Sequence, residues 1–309
     1  MASRYSYEEE GLRQAIIVNP IAGRGQARDI RDLVVRAFGR LGETIVFETT
    51  AVGDEERVAA EAIAASCNPL VVVGGDGTCA RVARVILERR VDCSLAVVPA
   101  GTGNDFAKSL GVAHYTPGQS VALVAVANPV RIDVGLADGD HFINTCGFGF
   151  DASVLRATQN VRFLKGDAVY IYSALRQLFS YRGIEIATGG ALRRESERML
   201  MAVASNGRSL GGAFRIAPTA SVIDGKLDFC FFGDTNVLGR ARRFAAALRG
   251  THLTLPGVTG VKADTLTLTF PEKPAMEMDG ELRLASSRTV RIECVPRALS
   301  VYAAPGALV

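Results

Sequence analysis

Three glycine-rich segments, each directly after a short apolar run, constrain the fold of this chain more than any other feature. Ala15 to Val18 leads into NPIAG, Leu70 to Val73 into GGDGT, and Ser94 to Val98 into PAGTGND. The residues after the first two loops have the apolar spacing of helices. Short buried strands that alternate with helices indicate a parallel sheet with crossover helices. The three loops are therefore expected at one edge of that sheet, where ligands bind in such folds.

The rest of the chain predicts a second domain, since 309 residues exceed what one hydrophobic core usually supports. We predict an α/β domain with a parallel sheet over residues 1–128 and a mainly antiparallel β-sandwich over 129–309. In this prediction the last residues of the chain can also pack against the first domain. Short strand patterns support the sandwich at 131–136, 141–146, 200–205, 226–232, 265–270 and 289–295, and two helices are predicted within it at 169–179 and 237–248.

Charge and hydropathy exclude several classes of protein. The formal net charge of +3 is too small to indicate nucleic acid as a partner. The longest apolar runs are far shorter than the roughly 20 residues of a membrane span. The first residues, MASRYSYEEEG, lack the basic and apolar regions of a signal peptide. We therefore expect a cytoplasmic protein whose contact with membranes is peripheral.

The GGDGT segment, Gly74 to Thr78, carries the clearest chemical signal. Glycine lets a backbone approach an anion closely, and a helix that starts here directs its N–H groups toward phosphate. Asp76 cannot bind phosphate directly, so magnesium coordination or support of the surrounding network is its expected task. The alternative is a tight strand-to-helix turn without a ligand, which does not require this combination of residues.

The other two loops, Asn19 to Gly23 and Gly101 to Asp105, gain meaning from their position beside GGDGT. Alone, each is more often an ordinary turn. Neither matches the P-loop pattern GxxxxGK[ST] nor GxGxxG. Together the three loops predict one phosphate-binding pocket of a different kind.

A pair of carboxylates in the second domain, Asp279 and Glu281 of MDGEL, is the candidate for proton transfer. Alternation along a strand would place positions 279 and 281 on one face, where both could reach a single site. Phosphoryl transfer to an alcohol needs a group that accepts the hydroxyl proton. A simple Asp-Gly hairpin turn is the alternative.

The ordered motifs resemble the diacylglycerol kinase catalytic family, which includes bacterial lipid kinases and sphingosine and ceramide kinases. The matching segments are NPIAGRG, VVVGGDGT, PAGTGNDFAKSLG, RIDVG and later DGKL, over about residues 15 to 295. The resemblance implies an ATP-dependent, magnesium-requiring kinase that phosphorylates a hydroxyl of diacylglycerol or a related lipid. It also implies a proton acceptor at Glu281 with Asp279 as its partner, and Asp76 and Asp105 in the magnesium and phosphate network.

The resemblance further implies which residues surround the ligands. Thr49 is implied as a nucleotide contact, although the neighbouring Thr50 leaves that register open. In related enzymes the VIDGKL loop holds a structural magnesium, here through Asp224 and the carbonyls of Ser221 and Lys226, although Ile223 stands where many relatives have an acidic residue. The implied ATP contacts are Asn19, Pro20, Ile21, Ala22, Gly23, Thr49, Gly74, Gly75, Asp76, Gly77, Thr78, Thr102 and Asn104.

Two alternatives for function stay open at this point. NAD kinases share GGDGT and the two-domain plan but normally lack GNDFA, and a non-catalytic lipid- or nucleotide-binding module would not need all four carboxylates. The predicted contact with lipid depends on two helices that carry arginine, at 169–179 and 237–248. Either helix could lie on a membrane or simply pack against the core. Which lipid is the substrate, and whether the protein is a homodimer, is left open.

Overall fold

The computed structural model describes residues 12–51, 53–158 and 167–308. The N-terminal segment used above for the localisation prediction lies outside these residues.

The first part of the chain forms the predicted parallel sheet. Its strands pair in the order β2-β1-β3-β4, and β3 and β4 are buried along their whole length. Strands covered on both faces need continuous apolar sequences, which LVVVG and SLAVVP provide. The elements are β1 (Leu12–Val18), α1 (Gln26–Phe38), β2 (Gly42–Glu48), α2 (Asp54–Ala64), β3 (Leu70–Gly74), α3 (Asp76–Arg89), β4 (Ser94–Pro99), α4 (Asp105–Ser109) and α5 (Pro117–Val126).

The second part is mainly antiparallel, which confirms the predicted fold class. Its strand pairs are antiparallel throughout the described ladders from β5 to β14. The elements are β5 (Val130–Ala137), β6 (Asp140–Phe142), β7 (Thr145–Gly149), α6 (Phe150–Thr158), α7 (Asp167–Ser180), β8 (Ile184–Gly190), β9 (Arg194–Ser205), β10 (Leu227–Gly233), α8 (Val237–Arg249), β11 (Val258–Ala263), β12 (Thr265–Thr269), β13 (Ala275–Met278), β14 (Glu281–Leu284) and β15 (Thr289–Val301).

The strand predicted at 141–146 is wrong, because two strands, β6 and β7, occupy this region. The backbone N–H groups of Ile143 and Asn144 donate to the carboxylate of Asp279, at 2.8 and 2.9 Å. They cannot also donate to a neighbouring strand, so the ladder is interrupted between β6 and β7. The apolar pattern of residues 141–146 does not indicate this break, because the carboxylate that causes it is distant in sequence.

Strand β10 shows how the second domain buries apolar residues on both sides of a sheet. Phe229 and Phe231 belong to one core, which also contains Phe148 and Phe270. Cys230 and Phe232 point to the other face, into a core covered by helix α8. The alternation follows from the two-residue period of a strand.

Strand β15 joins the two domains. Its first part pairs with β5, and after an irregularity between Val295 and Leu299 its last residues also pair in parallel with β4, through Ser300 with Ser94 and Val301 with Leu95. The following segment continues along the first domain, where the Ala304 N–H donates to Leu110 O at 2.9 Å. One strand is therefore part of both domains, so the two are joined by backbone hydrogen bonds.

We expect Asn206→Ala to lower the free energy of unfolding by about 2 to 4 kcal/mol, measured by chemical denaturation. Asn206 is fully buried, and its amide donates to the carbonyls of Asp133 and Ile143, both at 2.9 Å. The variant leaves both buried acceptors unpaired. Ser205→Ala is a matched control, because Ser205 is equally buried but its hydroxyl has no hydrogen-bond partner within the described part of the chain. Equal losses in the two variants would contradict this assignment.

Candidate active site

The three glycine-rich loops meet at the carboxyl edge of the parallel sheet. A side chain added at Gly101 would lie 2.5 Å from the Cα atom of Gly75, so both loops need glycine for this approach. Gly23 has a φ of +57° and its backbone lies directly against Ala100 O. The expected convergence of NPIAG, GGDGT and GTGND is present.

Asn19 connects the first loop to the second and to helix α2. Its amide donates to Thr78 Oγ1 at 3.0 Å and to Glu55 Oε1 at 3.1 Å, where Glu55 is buried. Thr49, at the end of the neighbouring strand, is buried and its N–H donates to Val18 O. The hydroxyl of Thr50 donates instead to Asp54 Oδ2 at 3.0 Å. Asn19 therefore fixes the relative positions of the first two loops.

The remaining loop residues shape the backbone around this edge. Asn104 has a φ of +52° and exchanges two hydrogen bonds with Gly101, both at 2.9 Å. Thr102 is exposed at the loop tip. Helix α3 begins at Asp76, so the free N–H groups of its first turn, including those of Gly77 and Thr78, lie beside the three loops. A negatively charged group is favoured there.

Asp105 joins the first domain to the second. Its Oδ1 atom pairs with Lys108 Nζ at 2.8 Å, and its Oδ2 atom accepts the N–H of Gly212 at 2.8 Å. Lys108 also donates to Gly212 O. Both carboxylate oxygens are thus engaged, so Asp105 positions the loop around Gly212.

A cavity of about 350 Å³ lies between the domains and brings the predicted carboxylates together. Its walls include Asp76 and Asp105 from the first domain and Asp279 and Glu281 from the second. Burial, together with the nearby charge of Asp105, raises the pKa of Asp76, although the N–H of Phe106 donates to it at 2.9 Å and opposes the shift. A cation at Asp76 would relieve this unfavourable burial, which fits the oxygen chemistry of magnesium.

Asp279 and Glu281 reach the cavity by a different route from the one predicted. They are not alternate residues of one strand, because Asp279 and Gly280 form the turn between β13 and β14, with φ of +48° and +89°. The Asp-Gly turn was the alternative considered from the sequence. The strand-alternation prediction is wrong, yet both residues line the same cavity.

Asp279 is a buried anchor. Its carboxylate accepts the N–H groups of Ile143, Asn144 and Thr145, at 2.8 to 3.0 Å. Burial raises its pKa to about 6, against the opposing effect of these hydrogen bonds. The hairpin tip is thereby tied to the start of β7.

Glu281 is surrounded by guanidinium groups. Arg81 Nε donates to it at 2.6 Å, Arg283 Nη2 at 3.0 Å, and Arg84 Nη2 lies 3.3 Å away. Burial alone would raise the pKa of Glu281, but these three cations outweigh it and lower the pKa to about 2. Arg81 also donates to Glu55 at 2.8 Å, so Glu281 is connected through Arg81 and Glu55 to Asn19.

A second buried acid pair in the cavity, Asp151 and Glu277, was not predicted. Burial raises the pKa of Asp151 to about 6, and burial together with the charge of Asp151 raises that of Glu277 well above its ordinary value. Among the described residues, Asp151 Oδ2 and Glu277 Oε2 have no hydrogen-bond partner. The available sequence signals are the glycine-rich segment GFGFD, which ends at Asp151, and the acidic residue two positions before Asp279.

The predicted metal site at Ser221, Asp224 and Lys226 does not fit the structure. Asp224 is exposed, its Oδ1 accepts the N–H of Lys226, and its Oδ2 accepts Lys262 Nζ at 2.7 Å. A metal ion would have to displace this ammonium group. Among the described residues, no cluster of three or more His, Cys, Asp or Glu side chains could hold a metal ion.

An apolar cavity of about 340 Å³ adjoins the polar one, and the two share Asp151 and Leu210. Its walls include Phe150, Phe214 and Phe244, together with residues of helix α8. An elongated apolar molecule in this cavity could place a polar end among the carboxylates.

Helix α8 covers this cavity and corrects part of the prediction for residues 237–248. Arg240 is buried, where it pairs with Asp234 at 2.7 Å and donates to Leu178 O at 2.9 Å, so it is not a surface arginine. Arg242 and Arg249 are exposed. For the other candidate helix, the side chains of Tyr170, Ile171, Ala174 and Leu175 lie outside the described residues.

We expect Glu281→Gln to destabilise the protein by about 2 to 3 kcal/mol at neutral pH, because it leaves Arg81 and Arg84 without their shared carboxylate. The pKa of Glu281 is lowered on folding, so its stabilising effect is present above its ordinary pKa of 4.5 and is lost as pH falls toward 2. Denaturant unfolding of wild type and variant between pH 8 and 3 measures this. Glu195→Gln, at an exposed glutamate, is the control. A difference that stays constant down to pH 3 would disprove the ion-pair explanation.

Comparison with known proteins identifies matches over nearly the whole chain. Residues 13–137 match the family described as Diacylglycerol kinase catalytic domain, and 144–303 match the YegS C-terminal NAD kinase beta sandwich-like domain. The diacylglycerol kinase of Bacillus subtilis (strain 168) is 30% identical over 275 residues, which cover 87% of this chain and 89% of that protein. A Stenotrophomonas maltophilia protein named "Probable lipid kinase YegS-like" is 29% identical and covers 95% of this chain and 97% of its own.

The fold has relatives among solved structures as well. A crystal structure of a diacylglycerol kinase from Bacillus anthracis str. Sterne superposes with a TM-score of 0.75 at 20% identity, over 98% of this chain and all of that one. At this identity the likeness establishes the fold alone. The sequence matches go further, and the chain belongs to the diacylglycerol kinase catalytic family, whose members are lipid kinases.

Proposed function

We propose that this protein transfers the γ-phosphoryl group of ATP to a hydroxyl group of diacylglycerol or a related lipid at a membrane surface. The observation that carries the proposal is that the polar and apolar cavities are adjacent and share Asp151 and Leu210 in their walls. A lipid with its chains among the aromatic side chains would present its hydroxyl to the carboxylates. A small polar substrate would gain no binding energy from the apolar cavity.

The nucleotide is assigned to the edge of the parallel sheet. The tight contacts of Gly23, Gly75 and Gly101 leave no room for side chains at this edge, so a phosphate could approach the backbone, and helix α3 adds the free N–H groups of its N-terminus. Magnesium, bound with the nucleotide at Asp76, would neutralise charge on the phosphates. The β- and γ-phosphates then lie toward the interdomain cavity.

In the proposed reaction the lipid hydroxyl oxygen attacks the γ-phosphorus, its proton passes to Glu281, and ADP leaves. With a pKa of about 2, Glu281 is ionised at neutral pH. It is a weak proton acceptor as long as Arg81, Arg84 and Arg283 are bound to its carboxylate. Nucleotide phosphates compete for the same guanidinium groups. Their arrival would draw Arg81 away and raise the basicity of Glu281 when ATP is in place. Asp279, which is tied to three N–H groups, positions the hairpin instead.

The alternative acceptors are less well supported. NAD is polar along its whole length, whereas one of the two joined cavities is lined mostly by apolar side chains. A non-catalytic binding module would not require Asp76, Asp151, Glu277 and Glu281 around one cavity, since burying carboxylates is costly.

Action at a membrane surface is supported by one face of helix α8. Leu238 is 80% exposed and Leu248 47% exposed, and Ala241 and Ala245 lie between them on the same face. Ala241, Ala245 and Leu248 also line the apolar cavity. Phe179, at the end of α7, is 70% exposed. With Arg242 and Arg249 beside it, this face suits contact with anionic lipid. No described helix is long and apolar enough to span a bilayer.

The function is tested with labelled ATP and either diacylglycerol in mixed vesicles or NAD. We expect phosphorylation of the lipid only. Glu281→Gln should lower turnover by about 100-fold or more while the ATP affinity is kept or increased, because Arg81 is then free for the phosphates. Asp76→Asn should remove most activity through the loss of the metal and phosphate network.

The controls separate chemistry from folding. Both variants should keep the wild-type circular dichroism spectrum, and Glu195→Gln should keep full activity, since Glu195 is exposed on strand β9. Turnover of Glu281→Gln within a few-fold of wild type would exclude the proton-acceptor role. Phosphorylation of NAD and not of lipid would overturn the proposed substrate class.

The membrane contact is tested by vesicle sedimentation. We expect Leu238→Ser with Leu248→Ser to weaken vesicle binding about 10-fold or more, because two exposed apolar side chains no longer enter the interface. Arg242→Ala with Arg249→Ala should flatten the dependence on anionic lipid, by about 5-fold for each charge. ATP binding without lipid should not change. Leu33→Ser, at a half-exposed leucine on α1, is the control. If both pairs bind vesicles like wild type, this face is not the docking surface.

A further inference from the structure

A cluster of charged and polar groups in the second domain contains the loop that carries Asp224. Lys262, on strand β11, extends its ammonium group to Asp224 Oδ2 at 2.7 Å, to Thr219 O at 3.1 Å and to Asp228 Oδ2 at 3.2 Å. An ammonium group has three hydrogen atoms to donate, and each has an oxygen partner here. The positive charge that balances the carboxylates of Asp224 and Asp228 is therefore supplied by a side chain of the protein itself.

The position of Lys262 follows from the sheet register. Asp228 of β10 lies directly opposite Lys262 of β11 in the antiparallel ladder, so their side chains emerge on the same face. Ile223, next to Asp224, is exposed and has no side-chain oxygen that could bind a metal ion.

The loop held by Lys262 is linked to the active site. Gly225 N–H donates to the buried carboxylate of Asp133 at 2.7 Å, and Asp133 N–H donates to Val222 O at 2.7 Å. Arg208 Nε donates to Ala220 O at 2.8 Å. Arg208 belongs to the segment that leads to Gly212, the partner of Asp105. A shift of the Asp224 loop would therefore be transmitted toward the cavity.

We propose that Lys262 is a built-in cation that holds the Asp224 loop in place, so that this loop requires no divalent metal. Magnesium would then be needed only with the nucleotide. The ammonium group is covalently part of β11, and its contribution is independent of the magnesium concentration. This differs from the structural metal site that the family resemblance implied at Asp224.

Thermal unfolding of the nucleotide-free protein, with and without millimolar magnesium, tests the proposal without measuring activity. We expect no shift of the wild-type Tm with magnesium or with a chelator. Lys262→Ala should lower the Tm by about 2 to 5 °C, since it leaves Asp224 and Asp228 facing each other without a cation. Magnesium should restore part of that loss by binding the freed oxygens. Lys262→Arg keeps the charge and should stay insensitive to magnesium.

Two further variants make the result decisive. Lys226→Ala removes an exposed lysine of the same loop and should change neither the Tm nor its response to magnesium. Adding Asp224→Asn to Lys262→Ala should abolish the magnesium response. A wild-type Tm that rises with magnesium, and no longer does so in Asp224→Asn, would overturn the proposal. So would a Lys262→Ala variant that behaves like Lys226→Ala. Neither result depends on which lipid the enzyme phosphorylates.

Discussion

The ion pair between Arg81 and two glutamates is the interaction on which the candidate site depends. Arg81 lies on α3, three positions after the last residue of GGDGT, and contacts Glu55 of the first domain and Glu281 of the second. Glu55 in turn accepts the amide of Asn19. Breaking a partly buried pair leaves charges without partners, so the arrangement favours one geometry over its alternatives. The nucleotide loops and the hairpin that carries the acceptor carboxylate are thus positioned relative to each other by one side chain.

Much of the first domain was predictable because its signals are local. LVVVG and LAVVP are continuous apolar runs, and a glycine stands within two residues after each of them, so strand, loop and helix could be placed from neighbouring residues. The convergence of the loops then follows from the topology of a parallel sheet. Nothing in this reasoning needs contacts between distant residues.

The parts of the site that were missed depend on distant contacts. The break between β6 and β7 is caused by Asp279, more than a hundred residues away. Glu277 and Asp151 come from separate segments and acquire their chemistry only through shared burial. The same holds for Arg240, which looks like a surface residue of an amphipathic helix until Asp234 and Leu178 are placed beside it. A periodic pattern identifies the face of a helix but not which of its charged residues another segment will cover.

The path of β15 has a consequence for synthesis of the chain on the ribosome. In the part of the chain that the structure describes, strand β4 obtains its outer neighbour from the end of β15, at Ser300 and Val301, whereas its inner neighbour β3 is translated before it. Until residue 301 has emerged, the nascent first domain therefore carries an open sheet edge of apolar sequence. Such edges pair readily with other strands. While roughly 200 further residues are translated, the exposed edge of β4 can pair with the wrong strand. A chaperone that covers β4 would have most effect during this interval.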